Sequence, residues 1–349
     1  MSPGTLSRRS LLLTGLTAGC GNWRRASSPF TVFTWAGPWG ETFERTLKPL
    51  FEQATGETVI FDNGWGEEIP KLLIAPPDQP PYDVMIVAPF QVYPVIKQGH
   101  FAELDWSLIP NAKSFHPNAL DNWVAQEGWG LTWPDASHTG IYGFTADETI
   151  SEWAEVLDRR AGFYRASYMS LYTFAAAYAP GRAAEAIEQD FDGVFDYAKR
   201  NKSKILHWWA TSPDMAFNLA QGNVNAGNIH SVDAYHMMRD GQKADIFITP
   251  DRAHFQAIWL IPKGSRLKSL GHEFLNQFAS LEFQREYAAA GFPTPNPQVA
   301  TEQAARDPLW RRINPYTEEA FGALSYYPYD AYTNNWNAMT DRWNQEVLV

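Results

Sequence analysis

The sequence predicts an α/β protein with more than one domain, and two observations support this expectation. Short apolar runs at residues 30–34, 58–61 and 82–87 alternate with segments of helical periodicity, a rhythm typical of a doubly wound parallel sheet. The chain has 349 residues, which is long for one average domain and suits two. We therefore expect an α/β architecture whose first part is built on parallel strands.

The first strand, at residues 30–34, is followed by an amphipathic helix. Its apolar residues recur at helical spacing, which places them on one face; they are Phe43, Leu47, Leu50, Phe51 and Ala54. The helix is therefore expected to pack this face against the first strands.

Local signals predict the shape and the end of this helix. Glu44 precedes Lys48 by four residues, a spacing that supports a helix, whereas Pro49 predicts a kink or a break. Gly56 stands where a helix C-terminus favours a left-handed residue. Residues 58–61 then give the second strand, and the continuous apolar run at 82–87 predicts a buried parallel strand.

The later part of the chain also mixes helices and strands. Apolar residues at 187, 191, 194, 195 and 198 repeat the helical spacing, and residues 255–261 read as a strand. Helical segments around 274–278 and 283–287 precede a proline-rich stop at 291–297. The alternation therefore continues beyond the first domain.

Composition excludes several classes of protein. The chain has 28 basic and 39 acidic residues, a net charge of −11 and a pI near 5.2, which argues against nucleic-acid binding. Aromatic residues make up 15% of the chain, too many for a disordered protein. The one cysteine, Cys20, excludes a disulfide framework and a cysteine-based metal site.

Residues 1–20 resemble an export signal. Arg8 and Arg9 precede a short apolar stretch that is too short to span a bilayer. The pair resembles the twin-arginine export motif, and an ordinary general-secretion signal remains the alternative. Residues 16–20 resemble a lipobox, so we expect Cys20 to carry a lipid anchor; the alternative is a stray thiol in a discarded peptide.

A polar tether is expected at residues 21–28, after the signal. The predicted leader contains Arg8 and Arg9 and no acidic residue, so its removal would change the net charge from −11 to −13. We expect the mature protein in the periplasm or on the outer face of the cytoplasmic membrane.

Catalytic signatures are missing from the sequence. There is no Gly-x-Ser-x-Gly elbow and no Walker loop, and Asn276 stands where the helix of His272 would need a second zinc-binding histidine. Glu67 and Glu68 are adjacent in sequence and are interpreted as a solvated face near a helix start. We expect no catalytic residue, no metal and no cofactor.

Aromatic residues cluster in the loops that follow the three predicted strands. Trp35 and Trp39 follow the first strand, Trp65 the second and Phe90 the third. The carboxyl ends of parallel strands meet at one edge of a sheet, where ligands bind. Rings there suit stacking on a small solute or holding a cation, and partial burial in the core is the alternative.

Eight segments, in order, carry a family resemblance: 51–59 (FEQATGETV), 82–84 (YDV), 96–111 (IKQG, ELD and IPN), 139–142 (TGIY), 153–157 (WAEVL), 261–265 (IPKGS), 272–276 (HEFLN) and 291–296 (GFPTPN). With these segments the chain resembles the extracellular solute-binding proteins of bacterial ABC importers, in particular the spermidine/putrescine-binding group.

The resemblance implies a two-lobed periplasmic-binding-protein fold of type II. Each lobe would be a doubly wound sheet, and crossing strands would form the hinge. The first lobe would take residues 29–137 and 259–292, and the second 138–258 and 293–349. The implied partners are a small-molecule solute and ABC permease subunits in the membrane, with the protein itself a monomer.

The resemblance also carries some ligand residues onto this chain. Trp35 matches the family's first-loop tryptophan, His230 stands where the family has a pocket tryptophan, and Phe255 keeps an aromatic ring in the crossing strand. The acids that hold polyamine ammonium groups meet Met169 and Tyr172, so a polyamine would leave buried charges unpaired.

His230 and Asp233 are a further candidate, as a polar hook in the second lobe or as an ordinary helix-start pair. The predicted ligand-binding residues are Trp35, Trp39, Trp65, Phe90, Tyr172, His230, Asp233 and Phe255.

The expected function is capture of a small organic solute between two lobes for delivery to a permease. The alternatives are a receptor that hands its ligand to a sensor and an exported hydrolase. Turnover of a substrate would identify the hydrolase.

Overall fold

The computed structural model describes residues 29–143 and 149–349. The predicted signal peptide at 1–20, with Cys20, and the tether at 21–28 lie outside the described residues. The nine described strands are β1 (Phe30–Trp35), β2 (Val59–Gly64), β3 (Val84–Val87), β4 (Gly130–Gly143), β5 (Ala161–Tyr164), β6 (Ile205–Trp209), β7 (Ala226–His230), β8 (Ala244–Phe247) and β9 (His254–Leu260).

The described helices surround these strands. They are α1 (Pro38–Thr42), α2 (Lys48–Thr55), α3 (Glu68–Ile74), α4 (Pro89–Lys97), α5 (Trp123–Gln126), α6 (Trp153–Leu157), α7 (Ser167–Tyr178), α8 (Ala183–Gln189), α9 (Phe191–Asn201), α10 (Ser212–Ala220), α11 (Ser231–Arg239), α12 (Lys268–Phe278), α13 (Leu281–Ala289), α14 (Pro297–Arg306), α15 (Pro308–Ile313), α16 (Glu318–Gly322) and α17 (Tyr329–Arg342).

The nine strands form one sheet with the order β2-β1-β3-β9-β4-β7-β5-β6, and β8 pairs separately with β4. The strands β1, β2 and β3 are parallel, as are β5, β6 and β7, whereas β9 is antiparallel to both β3 and β4. The predicted α/β class and the three parallel strands of the first part are therefore confirmed.

The strand β4 changes its partners along its length. Its first half, from Gly130 to Ser137, pairs with β9, while its second half pairs with β7 from His138 and with β8 from Gly140. It thereby joins a first strand group (β1, β2, β3 and β9) to a second strand group (β5, β6, β7 and β8). The pairing shifts register between Pro134 and Ala136, so Asp135 has no partner in the ladder.

The predicted first helix is present, and Pro49 changes its form. A π-helical turn at Phe43–Leu47 separates α1 from α2, and the Lys48 N–H donates to the Phe43 carbonyl. Proline lacks an N–H and clashes with the preceding turn of an α-helix, so the wider turn accommodates it. Gly56 ends the helix with φ 73°, the predicted left-handed cap, whereas Ala54 is exposed.

Aromatic rings packed at tilted and edge-on angles fill the core of the first strand group. Phe278 is fully buried, and its ring centroid lies 4.6 Å from that of Trp133, 5.7 Å from Trp259 and 5.2 Å from Phe283. Large buried aromatic side chains contribute strongly to stability, because the removal of apolar area from water is the main driving force of folding.

We therefore expect Phe278→Ala to lower the free energy of unfolding by roughly 3–5 kcal/mol, since the cavity it leaves adds to the lost burial. Denaturant unfolding measures this change. The matched control is Phe217→Ala on α10, whose side chain is 61% exposed and should change stability by less than about 0.5 kcal/mol. Equal effects of the two substitutions would contradict the assignment of Phe278 to the core.

Candidate functional site

A cavity of about 1120 Å³ lies where strands of both groups end. The first wall consists of Trp35, Trp39, Trp65 and Phe90, at or just after the ends of β1, β2 and β3. The second wall consists of Tyr164, Tyr168, Trp209 and His230, at or just after the ends of β5, β6 and β7. Both walls thus stand at the carboxyl ends of parallel strands, where α/β folds bind ligands.

The rings of the first wall pack on one another. The indoles of Trp35 and Trp65 stack with 6.1 Å between centroids and 6° between planes. Trp39 meets both edge-on, at 6.2 Å from Trp35 and 5.6 Å from Trp65. Trp35 and Trp39 are buried, while 59% of Trp65 is exposed. The first wall therefore presents one open ring on a buried aromatic base.

The second wall is held by a stack and a hydrogen bond. The rings of Tyr164 and Trp209 stack at 4.4 Å, and the Tyr168 hydroxyl lies 2.9 Å from His230 Nε2. Among the described residues, the indole N–H of Trp209 and Nδ1 of His230 have no hydrogen-bond partner. Buried polar groups in proteins are normally hydrogen-bonded, so these two buried atoms are exceptions within the second wall.

Phe255, on β9, connects the two walls. Its ring lies 5.5 Å from Trp35, 5.7 Å from Tyr168 and 5.9 Å from His230. Trp336 of α17 also lines the cavity and stacks on Phe90 at 4.3 Å. The aromatic lining is therefore continuous from one strand group to the other.

The carboxylate of Asp135 lies at the register shift of β4 and is fully buried. It accepts hydrogen bonds from Trp39 Nε1 at 2.7 Å, from Trp133 Nε1 at 3.3 Å and from the Tyr287 hydroxyl. Burial nevertheless raises the pKa of Asp135 to about 6. Three donors from three separate parts of the chain thus converge on this single side chain.

The charges around the cavity have one sign. Within the described ranges, four acidic residues line it and no lysine or arginine does; the acids are Glu41, Asp135, Asp233 and Asp240. Glu41 and Asp240 are exposed, whereas Asp233 is only 6% exposed. Burial raises the pKa of Asp233 to about 6, because no opposite charge offsets its desolvation.

Seven of the eight residues predicted as ligand contacts line this cavity: Trp35, Trp39, Trp65, Phe90, His230, Asp233 and Phe255. Their role in binding a ligand stays a prediction. His230 immediately precedes α11 without capping it through its side chain, and Asp233 lies in the first turn of that helix. His230 and Asp233 therefore lie at the start of a helix and also line the cavity, so both interpretations of this pair describe the same place in the structure.

The eighth residue, Tyr172, is placed elsewhere. It is buried on α7, with its ring 4.9 Å from Tyr327 and 5.4 Å from His138, and it does not line this cavity in the described structure. Neighbouring Met169 is also fully buried outside the lining. Both face the interior of the second strand group.

The pair Glu67 and Glu68 corrects one interpretation. Glu67 is half-buried and accepts a hydrogen bond from the Trp65 N–H at 2.8 Å, but Glu68 at the start of α3 is fully buried. Burial raises the pKa of Glu68 to about 7. The solvated-face interpretation is therefore wrong for Glu68.

Sequence reasoning did not select Asp135, Tyr164, Tyr168, Trp209 or Trp336. Two of these had a usable signal, because Tyr164 and Trp209 end short strands just as Trp35 does. Nothing local marks Trp336, which reaches the cavity from the C-terminal helix α17.

Comparison with known proteins identifies relatives. A family model described as bacterial extracellular solute-binding protein matches residues 49–311. A search of curated proteins finds no match. None of the described helices has the length and apolar character needed to cross a bilayer.

Solved structures with the same fold cover nearly the whole chain. An ABC transporter substrate-binding protein from Bradyrhizobium japonicum is 17% identical, with 91% of this chain and 99% of that chain covered and a TM-score of 0.76. A binding protein of A. tumefaciens R10 in complex with agropinic acid is 14% identical, with coverage of 93% and 99% and a TM-score of 0.72.

A spermidine/putrescine substrate-binding protein from Streptococcus pneumoniae is 16% identical, with 92% of this chain and 99% of that chain covered and a TM-score of 0.72. These likenesses show the fold, and the predicted two-lobed periplasmic-binding-protein class is confirmed.

Asp135→Asn should destabilise the protein by roughly 1–3 kcal/mol, because one amide oxygen cannot serve three buried donors. Denaturant unfolding at neutral pH measures the change. Asp196→Asn, which removes an exposed carboxylate from α9, is the matched control and should leave stability nearly unchanged. An Asp135 variant as stable as the control would show that the three hydrogen bonds contribute little.

His138 gives a pH-dependent prediction. Its Nε2 lies 2.9 Å from Thr173 Oγ1, its ring stacks on Trp153 at 4.5 Å, and its Nδ1 has no partner in the part of the chain that the structure describes. Burial lowers the pKa of His138 to about 3, against about 6.5 in the unfolded chain. The unfolded state binds more protons between these values, so this neutral histidine loses its contribution as the pH falls below about 6.5.

The stability difference between the wild type and His138→Asn should therefore shrink by about 1.4 kcal/mol per pH unit below pH ~6. Denaturant unfolding at several pH values measures it, and the carboxyl groups with raised pKa values cancel in the difference. A difference that grows as the pH falls would contradict burial of a neutral imidazole.

Proposed function

Because this chain belongs to the bacterial extracellular solute-binding proteins, we propose that it captures a small organic solute between two lobes and delivers it to an ABC permease. The observation that carries the proposal is the cavity of about 1120 Å³ whose aromatic walls come from both strand groups. Its size suits a small molecule, and few polar groups interrupt its apolar surface, as is typical of ligand sites.

The two lobes of the proposal are residues 29–137 with 259–292 and residues 138–258 with 293–349. In support, β4 exchanges β9 for β7 between Ser137 and His138, at the boundary between the first two segments. Within the described sheet, the long extended strand β4 connects the two groups. Hinge motion about such strands opens a cleft and closes it around a guest.

Although the fold is shared with the polyamine-binding group, we do not propose a polyamine as the solute of this protein. The positions where that group has acids for ammonium groups hold Met169 and Tyr172, which lie outside the cavity lining, and the crossing strand has the buried Ala257 in place of a carboxylate. An unpaired buried ammonium costs several kcal/mol. The proposed solute is therefore not spermidine held in the family's manner.

The proposal places the protein outside the cytoplasm, in the periplasm or on the outer face of the cytoplasmic membrane. It includes a lipid anchor at Cys20 and a monomeric state, with the permease subunits as membrane partners. No covalent chemistry is part of the mechanism, since the guest is released unchanged.

A thermal-shift screen with amino acids, sugars, organic acids and amines tests the proposal. A ligand at a hundred times its Kd should stabilise the protein by about 2.7 kcal/mol, and X-ray scattering should show a more compact particle in its presence. Phe255→Ala should weaken binding at least tenfold, because it removes the ring that contacts both walls, while Phe217→Ala should bind normally.

Two outcomes would contradict solute capture. One is chemical conversion of a ligand by the protein. The other is binding without any change in the scattering profile. The two lobes would then not close around the ligand, and a permease would have no closed form to recognise.

A further inference from the structure

We propose that the solute is an organic cation with a single ammonium group and no carboxylate, whose charge is held by Asp233 and the aromatic walls. This inference rests on the proposed function and names the class of its ligand. The geometry that carries it is one buried, unpaired carboxylate in an aromatic cavity.

The charge of the lining selects for cations. Four carboxyl groups face the cavity without a lysine or arginine among the described lining residues. Carboxylate ligands in proteins are usually bound by arginine forks or lysines, and this cavity offers neither. A carboxylate entering here would exchange its hydration shell for like charges, whereas an ammonium would find an opposite charge.

Only one of the four acids is free to bind a deeply buried ammonium. Asp135 is already occupied by Trp39, Trp133 and Tyr287. The two exposed acids, Glu41 and Asp240, lie in contact with water, where the surrounding salt screens their charges. A ligand with a second ammonium group would therefore bury a charge without a partner.

Asp233 remains, and its surroundings leave it without a cation. No ion pair of the described residues includes it. The Ser212 side chain interacts with its carboxylate, and Tyr164 and Tyr168 of the second wall are close enough to interact electrostatically with it. Burial raises its pKa because an opposite charge is missing, and a guest ammonium supplies that charge.

Aromatic rings in the same cavity as Asp233 complete the proposed cation site. Tyr164, Tyr168, Trp209 and Phe255 line the same cavity, and aromatic faces attract a desolvated cation. Their apolar area also suits the hydrocarbon body of the ligand. The partners of a single ammonium group would thus be the Asp233 carboxylate and the aromatic rings of the same cavity.

Calorimetry with three probes of equal ring and chain length tests the charge selection: phenethylammonium, phenylalanine and 3-phenylpropionate at pH 7.5. The expected order is phenethylammonium tightest, phenylalanine weaker and phenylpropionate without detectable binding. Putrescine and spermidine, tested alongside, should bind more weakly than phenethylammonium because of their extra charges.

Asp233→Asn should weaken phenethylammonium binding roughly ten- to a hundredfold, the value of a charge-assisted hydrogen bond. Asp196→Asn removes an equal charge from the surface and should leave binding unchanged. Thermal unfolding checks that both variants fold, and the probe order in the wild type does not depend on them.

Tighter binding of phenylpropionate or phenylalanine, or an Asp233 variant with wild-type affinity, would overturn the inference and leave solute capture standing. Absence of binding by every ammonium probe at millimolar concentration would overturn it as well. Failure of solute capture would be seen differently, as turnover of a ligand or as binding without compaction.

Discussion

The buried carboxylate of Asp135 is the contact on which the cavity depends. It stands where β4 leaves the regular ladder, and its oxygens receive donors from Trp39, Trp133 and Tyr287. Trp39 in turn meets both Trp35 and Trp65 edge-on. The position of the first wall is thereby fixed to the strand that joins the two strand groups, through a charge that the protein satisfies internally.

The two buried acids of the cavity illustrate opposite uses of the same side chain. Asp135 accepts three hydrogen bonds and holds the first wall in place, whereas Asp233 lacks a counter-charge. Desolvation raises the pKa of both to about 6. A buried carboxylate without a counter-charge lowers the stability of the ligand-free protein. A cationic ligand would supply that counter-charge.

Much of the first wall could be predicted from the sequence, because its signals are local. Each of Trp35, Trp65 and Phe90 follows a short apolar strand, and parallel strands bring such loops to one edge. Asp135 gave no comparable signal, since its partners Trp39 and Tyr287 are 96 and 152 residues away in the chain. The burial of Glu68 could not be predicted from the sequence either, because it depends on how other parts of the chain pack over the start of the helix. Its neighbour Glu67 is only half-buried.

The stacked pair of Trp35 and Trp65 has a further consequence for recognition. An indole that is 59% exposed, such as that of Trp65, would ordinarily adopt several rotamers. Ligand binding would then restrict it to one rotamer, at a cost in conformational entropy. Here the ring of buried Trp35 is already parallel to it, with 6.1 Å between the ring centroids, so the orientation of Trp65 is set before a ligand binds. The entropy of arranging this surface is lost during folding, and the affinity left for the guest is correspondingly greater.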